Sequence, residues 1–393
     1  MRIPGIYIFL FIALSLHALI NYYIINRGYH TLPASSWMRP VYLVVMIFLV
    51  IAYPAARFLE RGLHRQIVEI LLHIGSYYLA IMIFALFIIL FIDVIRLGNA
   101  IFHFYPDSWR QPGSYTNMAL FTFVSLVILI LTSAGAINAR FPRIRELNLN
   151  IGKHVPQMDT LKIALISDVH VGTIINNSRL IKMIDKINSL NPDLILIAGD
   201  LFDEDITSLG KQNIESVLQS LKCKYGVFAI PGNHEFFSGI QSALNYMKAS
   251  GIHALRDSVA IVADAIYLVG RDDRTVNRFN HRRAPLHDLM QRVDRAKPVI
   301  LMDHQPYELE EAARHGVDLQ LSGHTHHGQL IPFNFITQAI YELSWGYMKK
   351  DQTHYYVSCG LGTWGPPVRI GNRPEIVIIN LNFKGGDAAL GAF

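Results

Sequence analysis

Five short apolar runs, each closing on a carboxylate, an amide or an imidazole, constrain this chain more than any other feature. The first is LKIALISDVH, Leu161–His170, which ends in Asp168 and His170. The second is DLILIAGD, Asp193–Asp200, with Asp203 close behind. The others are YGVFAIPGNHE (Tyr225–Glu235), PVILMDHQP (Pro298–Pro306) and VDLQLSGHTHH (Val317–His327). Apolar runs of this length bounded by polar residues read as buried strands, and ligands of such sheets gather at the carboxyl ends of strands. Amphipathic stretches lie between them: Arg179–Leu190, with Ser178 available as an N-cap, then Ile214–Leu221 and Ile240–Ala249. This βαβα rhythm predicts an α/β domain. Tyr355–Cys359 and Glu375–Leu381 add two further predicted strands.

Composition separates that domain from what precedes it. Hydrophobic residues make up 51% of the chain and charged ones 17%, and most of this excess lies before about residue 138. Ile3–Ile25, Val41–Phe58, a stretch within Ile67–Ile95, and Met118–Ile137 are each long and apolar enough to span a bilayer. Four such stretches predict an all-α membrane domain of about four transmembrane helices over residues 1–140. Residues 141–159 then read as a linker, where Pro142 and Pro156 argue against one continuous helix. The α/β domain occupies 160–393. His73 and Asp93 are expected near the ends of the third span, at the interface rather than on a pathway through it.

Lys and Arg near the spans favour one orientation. Arg2, Arg57, Arg61, Arg65, Arg140, Arg143, Arg145 and Lys153 share one side, against Arg27, Arg39, Arg96 and Arg110 on the other. Both termini and the α/β domain are therefore expected in the cytoplasm, and the chain in a bacterial inner membrane. Cys223 and Cys359 offer neither a disulfide framework nor a cysteine-based zinc site, though pairing between the two stays open.

Asp168, His170, Asp200, Asn233, His304, His324 and His326 bring two carboxylates, four imidazoles and one amide oxygen from strand ends far apart in sequence. Mixed oxygen and nitrogen donors of this kind suit Mn, Fe, Zn or similar divalent metals. Two metals sharing a site need a bridging anion, a part that Asp200 is placed to play. With metals about 3.5–4 Å apart, a metal-bound hydroxide can attack phosphorus while both ions clamp the phosphoryl oxygens. Any one element, such as Asp-x-His or Gly199–Asp200, also reads as an ordinary strand-end turn. Five such endings in one domain are hard to explain by turns alone.

DVH, GDLFD, GNHE, the histidine of DHQP, and GHTH, in that order, resemble the calcineurin-like metallophosphoesterase family over about Lys162–Leu381. The closing stretch GLGTWGPPVRIGNRPEIVIINL is similar to the membrane-associated bacterial branch. The resemblance implies a sandwich of two mixed β-sheets flanked by helices. It also implies that Asp168, His170 and His326 bind one metal, that Asn233, His304 and His324 bind the other, and that Asp200 bridges. His234 would be the histidine that is not a ligand, touches the phosphate and protonates the leaving oxygen. Asp203 is expected to be a ligand or to orient His234 or a neighbouring loop, and Glu235 to support its turn. His327 is expected beside the site or exposed rather than on substrate. The segment RDDRTVNRFNHRR, Arg271–Arg283, reads either as a phosphate or anionic-lipid contact or as a solvated loop paired through Asp272 and Asp273.

The expected function is that of a membrane-anchored, dinuclear-metal phosphoesterase acting on a phosphomonoester, phosphodiester or pyrophosphate, with a lipid-linked substrate among the options. A pyrophosphatase of the UDP-diacylglucosamine type, a metal-stabilised scaffold without turnover, and a transporter with a regulatory hydrolase domain are the alternatives. Nucleic acid is not an expected partner, because only Phe279 interleaves the arginines. No protein partner is inferred.

Overall fold

A computed structural model of the protein describes residues 3–59, 62, 64–203, 213–279 and 281–383. Arg2 and Arg61, used above for orientation, and Asn280 of the arginine-rich segment lie outside the described residues. The chain forms two compact units, Met1–Ile137 with Gly365–Val368, and Asn138–Trp364 with Arg369–Phe393.

The first unit carries four long helices, α1 (Ile3–Thr31), α2 (Met38–Phe58), α3 (Arg65–Phe102) and α4 (Tyr115–Asn138). Among the described residues, α2, α3 and α4 are long and apolar enough to cross a membrane. Their outward faces are oily, with Phe91, Val94, Phe123 and Ile130 exposed. Where α2 and α3 meet, Gly75 leaves room for the backbone of Tyr53, which any Cβ at that position would strike. Small residues permit this kind of close helix approach in apolar surroundings. Between α1 and α3 a buried amide is satisfied: Asn21 donates to the His17 carbonyl at 2.8 Å, and the Tyr78 hydroxyl donates to Asn21 Oδ1. His73 bonds Glu69 O at 2.8 Å, and Asp93 is paired with Arg27 and Arg96.

The second unit is built on two six-stranded mixed sheets. One runs β1 (Arg143–Asn150), β12 (Glu375–Asn382), β2 (Thr160–Ile166), β3 (Leu194–Ala198), β4 (Val227–Ile230), β5 (Ile252–Ala254). The other runs β10 (Gly346–Lys350), β11 (Thr353–Val357), β9 (Leu319–Ser322), β8 (Val299–Met302), β7 (Ile266–Gly270), β6 (Ser258–Val262). In the first sheet β2, β3, β4 and β5 pair in parallel, and β12 runs antiparallel to β2. In the second, β7, β8, β9 and β11 are parallel, with β6 and β10 antiparallel at the edges.

Period-two alternation sorts each strand between two cores. In β2, Leu161, Ile163 and Leu165 enter the core between the sheets, beside Ile300, Met302, Leu319 and Leu321 of the second sheet. Ala164 and Ile166 face the other way, onto Leu180, Ile184 and Ile187 of helix α5 (Asn177–Ser189). Strands buried on both faces read as unbroken apolar runs, which is why these five were visible in the sequence.

Some boundaries differ from expectation. Helix α5 is capped by Asn176, whose side-chain oxygen accepts from Arg179 N, so the helix starts ahead of the expected Ser178 cap. Arg143–Asn150, placed in the linker by sequence, is strand β1 and pairs in register with β12, Arg143 opposite Glu375 and Asn150 opposite Asn382. Leu149, Ile151 and Val155 belong to the core between the sheets, so this stretch is part of the domain. Cys223 and Cys359 are free thiols.

Candidate metal centre

The five strands with polar endings are β2, β3 and β4, adjacent in one sheet, and β8 and β9, adjacent in the other. Packing the sheets face to face brings their carboxyl ends together. Hydrogen bonds cross the gap: among them, His324 N donates to Asp168 Oδ1 at 2.9 Å, and His304 Nδ1 to Ala198 O at 2.7 Å. The backbone is bent hard at this edge. Asp168, His170, Asp200, His324 and His326 all sit at positive φ, between 45° and 72°. Such conformations are rare for residues other than glycine and cluster where function requires them. They are held by neighbours, with Asp168 N on Gly199 O at 3.0 Å and His170 N on Asp200 O at 3.1 Å. Gly232 and Gly323 permit the crowding, because a Cβ on either would collide with the carboxylates of Asp200 and Asp168 respectively.

The donors gather in overlapping sets. Ligand atoms of Asp168, His170 and His326 lie within 4.8 Å of one another, as do those of Asp200, His304 and His324. In the first set His170 Nε2 faces His326 Nε2 at 3.0 Å, with Asp168 Oδ1 3.5 Å from the latter. In the second, His304 Nε2 stands 3.1 Å from Asp200 Oδ2. Asp200 touches both sets, since the same oxygen lies 3.9 Å from His170 Nε2. The Ala198 carbonyl fixes the His304 tautomer and turns its Nε2 into the centre, the support a metal-binding imidazole needs.

A metal is the occupant this donor set fits. Asn233 Oδ1 and His324 Nδ1 are buried without a hydrogen-bond partner among the described residues, and such atoms are costly unless something binds them. Charge balance points the same way. Burial alone would raise the Asp200 carboxyl, yet His304, His234 and His170 around it hold it well below the usual range. Burial, with His170 and Arg369 adding to it, pulls the His326 imidazole well below its ordinary value. Burial and the charge of His304 lower His324. His304 runs the other way: burial opposes its charged form, but Asp200 beside it pushes the imidazole well above its ordinary value. Asp200, His324 and His326 are thus the donors already in the ionised or neutral form that a divalent cation binds.

His234 stands beside these sets at the start of the helix Asn233–Ser238. Its backbone N–H donates to Asp200 Oδ1 at 2.9 Å, and its Nδ1 is 3.1 Å from Asp203 Oδ1. Burial works against its charged form, but Asp203, Asp200 and Glu235 outweigh it and push the imidazole up to about 9. Asp203 also lies 3.4 Å from His170 Nδ1, and a third donor group of His170, Asp203 and His234 results. Glu235 is fully buried and accepts from Gly232 N, Asp200 N and Phe202 N at 2.7, 3.1 and 2.9 Å. It ties the loop after β3 to the loop after β4. His327 is buried, its Nδ1 3.1 Å from Ser344 Oγ and its ring against Trp345.

The arginine-rich segment is drawn into the fold. Arg271 pairs with Glu311 and Asp303, Arg283 with Asp303, and Arg274 with Glu308. Asp272 meanwhile accepts two hydrogen bonds from Arg256, at 2.8 and 2.6 Å. The expectation of a solvated loop paired through Asp272 and Asp273 does not hold. Arg271, Asp272 and Asp273 are buried, Asp272 pairs with Arg256, and Asp273 accepts from Gln305. Arg271, Arg274 and Arg283 pair with carboxylates outside the segment.

Sequence reading missed Arg369 and Asn372. Arg369 is wholly buried, with Nη2 3.1 Å from His326 Nδ1, and Asn372 Nδ2 donates to His326 O at 2.7 Å. The motif VRIGN that carries them is visible, but nothing local says that it folds back on the GHTH loop.

Residues 161–328 match the family described as calcineurin-like phosphoesterase. An uncharacterized metallophosphoesterase of Aquifex aeolicus (strain VF5) is 30% identical over 263 residues, which cover 66% of this chain and 99% of that protein. The chain belongs to the calcineurin-like metallophosphoesterase family. A metallophosphoesterase of Helicobacter pylori (strain J99) is 31% identical over 61% of this chain, which spans 64% of that relative's length. A Danio rerio family member called transmembrane protein with metallophosphoesterase domain is 29% identical over 68% of this chain and 63% of its own. The chain thus spans less than two thirds of these two relatives.

Proposed function

We propose that the chain is a membrane-anchored phosphoesterase whose centre takes two divalent cations, with manganese, iron and zinc as the candidates. The observation that carries this reading is the position of Asp200, which touches both the Asp168–His170–His326 set and the His304–His324 set. Asp168, His170 and His326 would hold one cation, Asn233, His304 and His324 the other, and Asp200 both. When bound, such a pair acts as a Lewis acid on the phosphoryl oxygens and makes water a competent nucleophile near neutral pH.

The chain's own residues supply the rest. Asp203 accepts the His234 Nδ1 proton, which turns Nε2 outward as the donor to the departing oxygen. Glu235 fixes the turn that carries His234. Three helices with the length and apolarity of spans support an anchor, and the excess of Lys and Arg on one side supports a cytoplasmic catalytic domain. Tethering to a bilayer extends the substrate reading to lipid-linked phosphate esters.

The test is hydrolysis of a nitrophenyl monoester, a nitrophenyl diester and a nucleotide pyrophosphate by metal-stripped protein resupplied with Mn, Fe or Zn. Asp200→Asn should fall to one metal ion or none per chain and lose turnover. His234→Ala should keep its metal and lose about 10²–10⁴ in kcat. Absence of turnover on all three substrates and a lipid extract, at full metal occupancy, would sink the catalytic reading.

A further inference from the structure

The helical unit holds a cavity of about 320 Å³ walled by all four long helices. Ile24 of α1, Met46 of α2, Ile81 and Ile89 of α3, and Phe121 and Val124 of α4 line its apolar length. Arg27, Thr31, Arg96 and Asn117 close one end. The same four residues, with Asn26 and His30, also line an adjoining polar chamber of about 210 Å³. Side by side on these shared residues, the two cavities are apolar over most of their extent and polar at one end, the profile of an acyl chain with its headgroup.

The polar end carries the sign of its ligand. Arg27 and Arg96 pair with one carboxylate, Asp93, at 2.6 and 3.2 Å, and the Tyr23 hydroxyl donates to the same group at 2.6 Å. Two guanidinium groups against one carboxylate leave a net positive charge. Each guanidinium has five N–H donors in a fixed fork, more than a shared carboxylate engages. Phosphate oxygens fit that fork bidentately, and basic pockets between membrane helices recognise anionic headgroups.

We propose that this space binds one anionic phospholipid, with an acyl chain in the apolar cavity and the phosphate against Arg27 and Arg96. The occupant is drawn from the bilayer because three of the four walls, α2, α3 and α4, are helices long and apolar enough to cross it. The proposal does not depend on the catalytic reading, and its test does not measure turnover.

The full-length protein is purified in mild detergent from cells whose phospholipid composition is known, and retained lipids are identified by mass spectrometry. Wild type is expected to keep one anionic phospholipid per chain, enriched over its share of the membrane. The double variant Arg27→Gln/Arg96→Gln should lose the enrichment, and Val124→Trp, which fills the cavity, should lose the lipid. Arg65→Gln, at the other end of the bundle, should behave as wild type. A wild-type ratio equal to the membrane's, or enrichment surviving both cavity variants, would overturn the proposal. Should the variants fail to fold, delipidated wild type is titrated with phosphatidylglycerol or phosphatidylcholine. A saturable rise in unfolding temperature with the anionic lipid alone is expected, and equal rises with both would overturn it.

Discussion

Glu235 shows how one buried carboxylate positions the loop that carries His234. It accepts from three backbone N–H groups on two loops, at Gly232, Asp200 and Phe202. Burial and the nearby charge of Asp200 raise its pKa, so those donors are what keep an anion tolerable there. Glu235→Ala should orphan all three, at about 1–3 kcal/mol for each buried donor left unsatisfied. The expected outcome is a loss on the order of 3 kcal/mol or more in thermal unfolding of the catalytic unit, together with lost metal affinity. Asp203→Asn asks a finer question. The amide can keep a contact to His234 while removing the charge, so folding should persist and turnover should fall about 10–100-fold, in line with losses at outer-shell partners. Equal turnover would remove Asp203 from the mechanism. The candidate centre was legible in the sequence because each donor closes an apolar run, a local signal. Arg369, Asn372 and Ser344 were not, because they reach His326 and His327 only through loops whose folding no periodicity announces.

At the level of elements, the same distinction explains which strands sequence reading found. β2, β3, β4, β8 and β9 are buried on both faces and stand out as apolar runs. β1 does not. Its sequence RIRELNLN sends Ile144 to the helix side and Leu147 and Leu149 to the inter-sheet side, so neither alternation nor a run emerges, and the flanking prolines made it look like a linker. The structure makes a testable statement about where the domain begins. A fragment starting at residue 160 would strip β1 from β12, leaving an unpaired apolar edge and a core without Leu149, Ile151 and Val155. Exposed edges of this kind template aggregation. Fragments 139–393 and 160–393 are therefore expected to differ sharply: the longer soluble and cooperatively unfolding, the shorter aggregated. Comparable solubility and unfolding temperature would mean that β1 is an ornament. Within the longer fragment, Asn176→Ala removes the cap of α5 and should cost about 1 kcal/mol, a shift of a few degrees at most.

The whole molecule joins a helical unit, which carries no cluster of metal donors among the described residues, to an α/β unit whose charges call for a cation. Without a metal, the carboxylates of Asp168, Asp200 and Asp203 lie crowded against buried imidazoles, and Asn233 Oδ1 and His324 Nδ1 have no hydrogen-bond partner among the described residues. An ion that binds only the folded state stabilises it by RT ln(1 + [L]/Kd), about 2.7 kcal/mol at a hundredfold excess over Kd. Chelation should therefore lower the unfolding temperature of the catalytic unit and leave that of the helical unit unchanged, because no residue of the donor sets lies in the latter. Two heat-absorption transitions in detergent, followed before and after stripping, separate these effects. Elemental analysis of the refilled protein gives the stoichiometry. Two ions per chain, falling to one or none in Asp200→Asn, is the outcome that a carboxylate shared between both donor sets requires. One ion per chain in wild type, with the full stabilisation recovered, would make Asp200 a ligand of one centre and return the remaining donors to a supporting role.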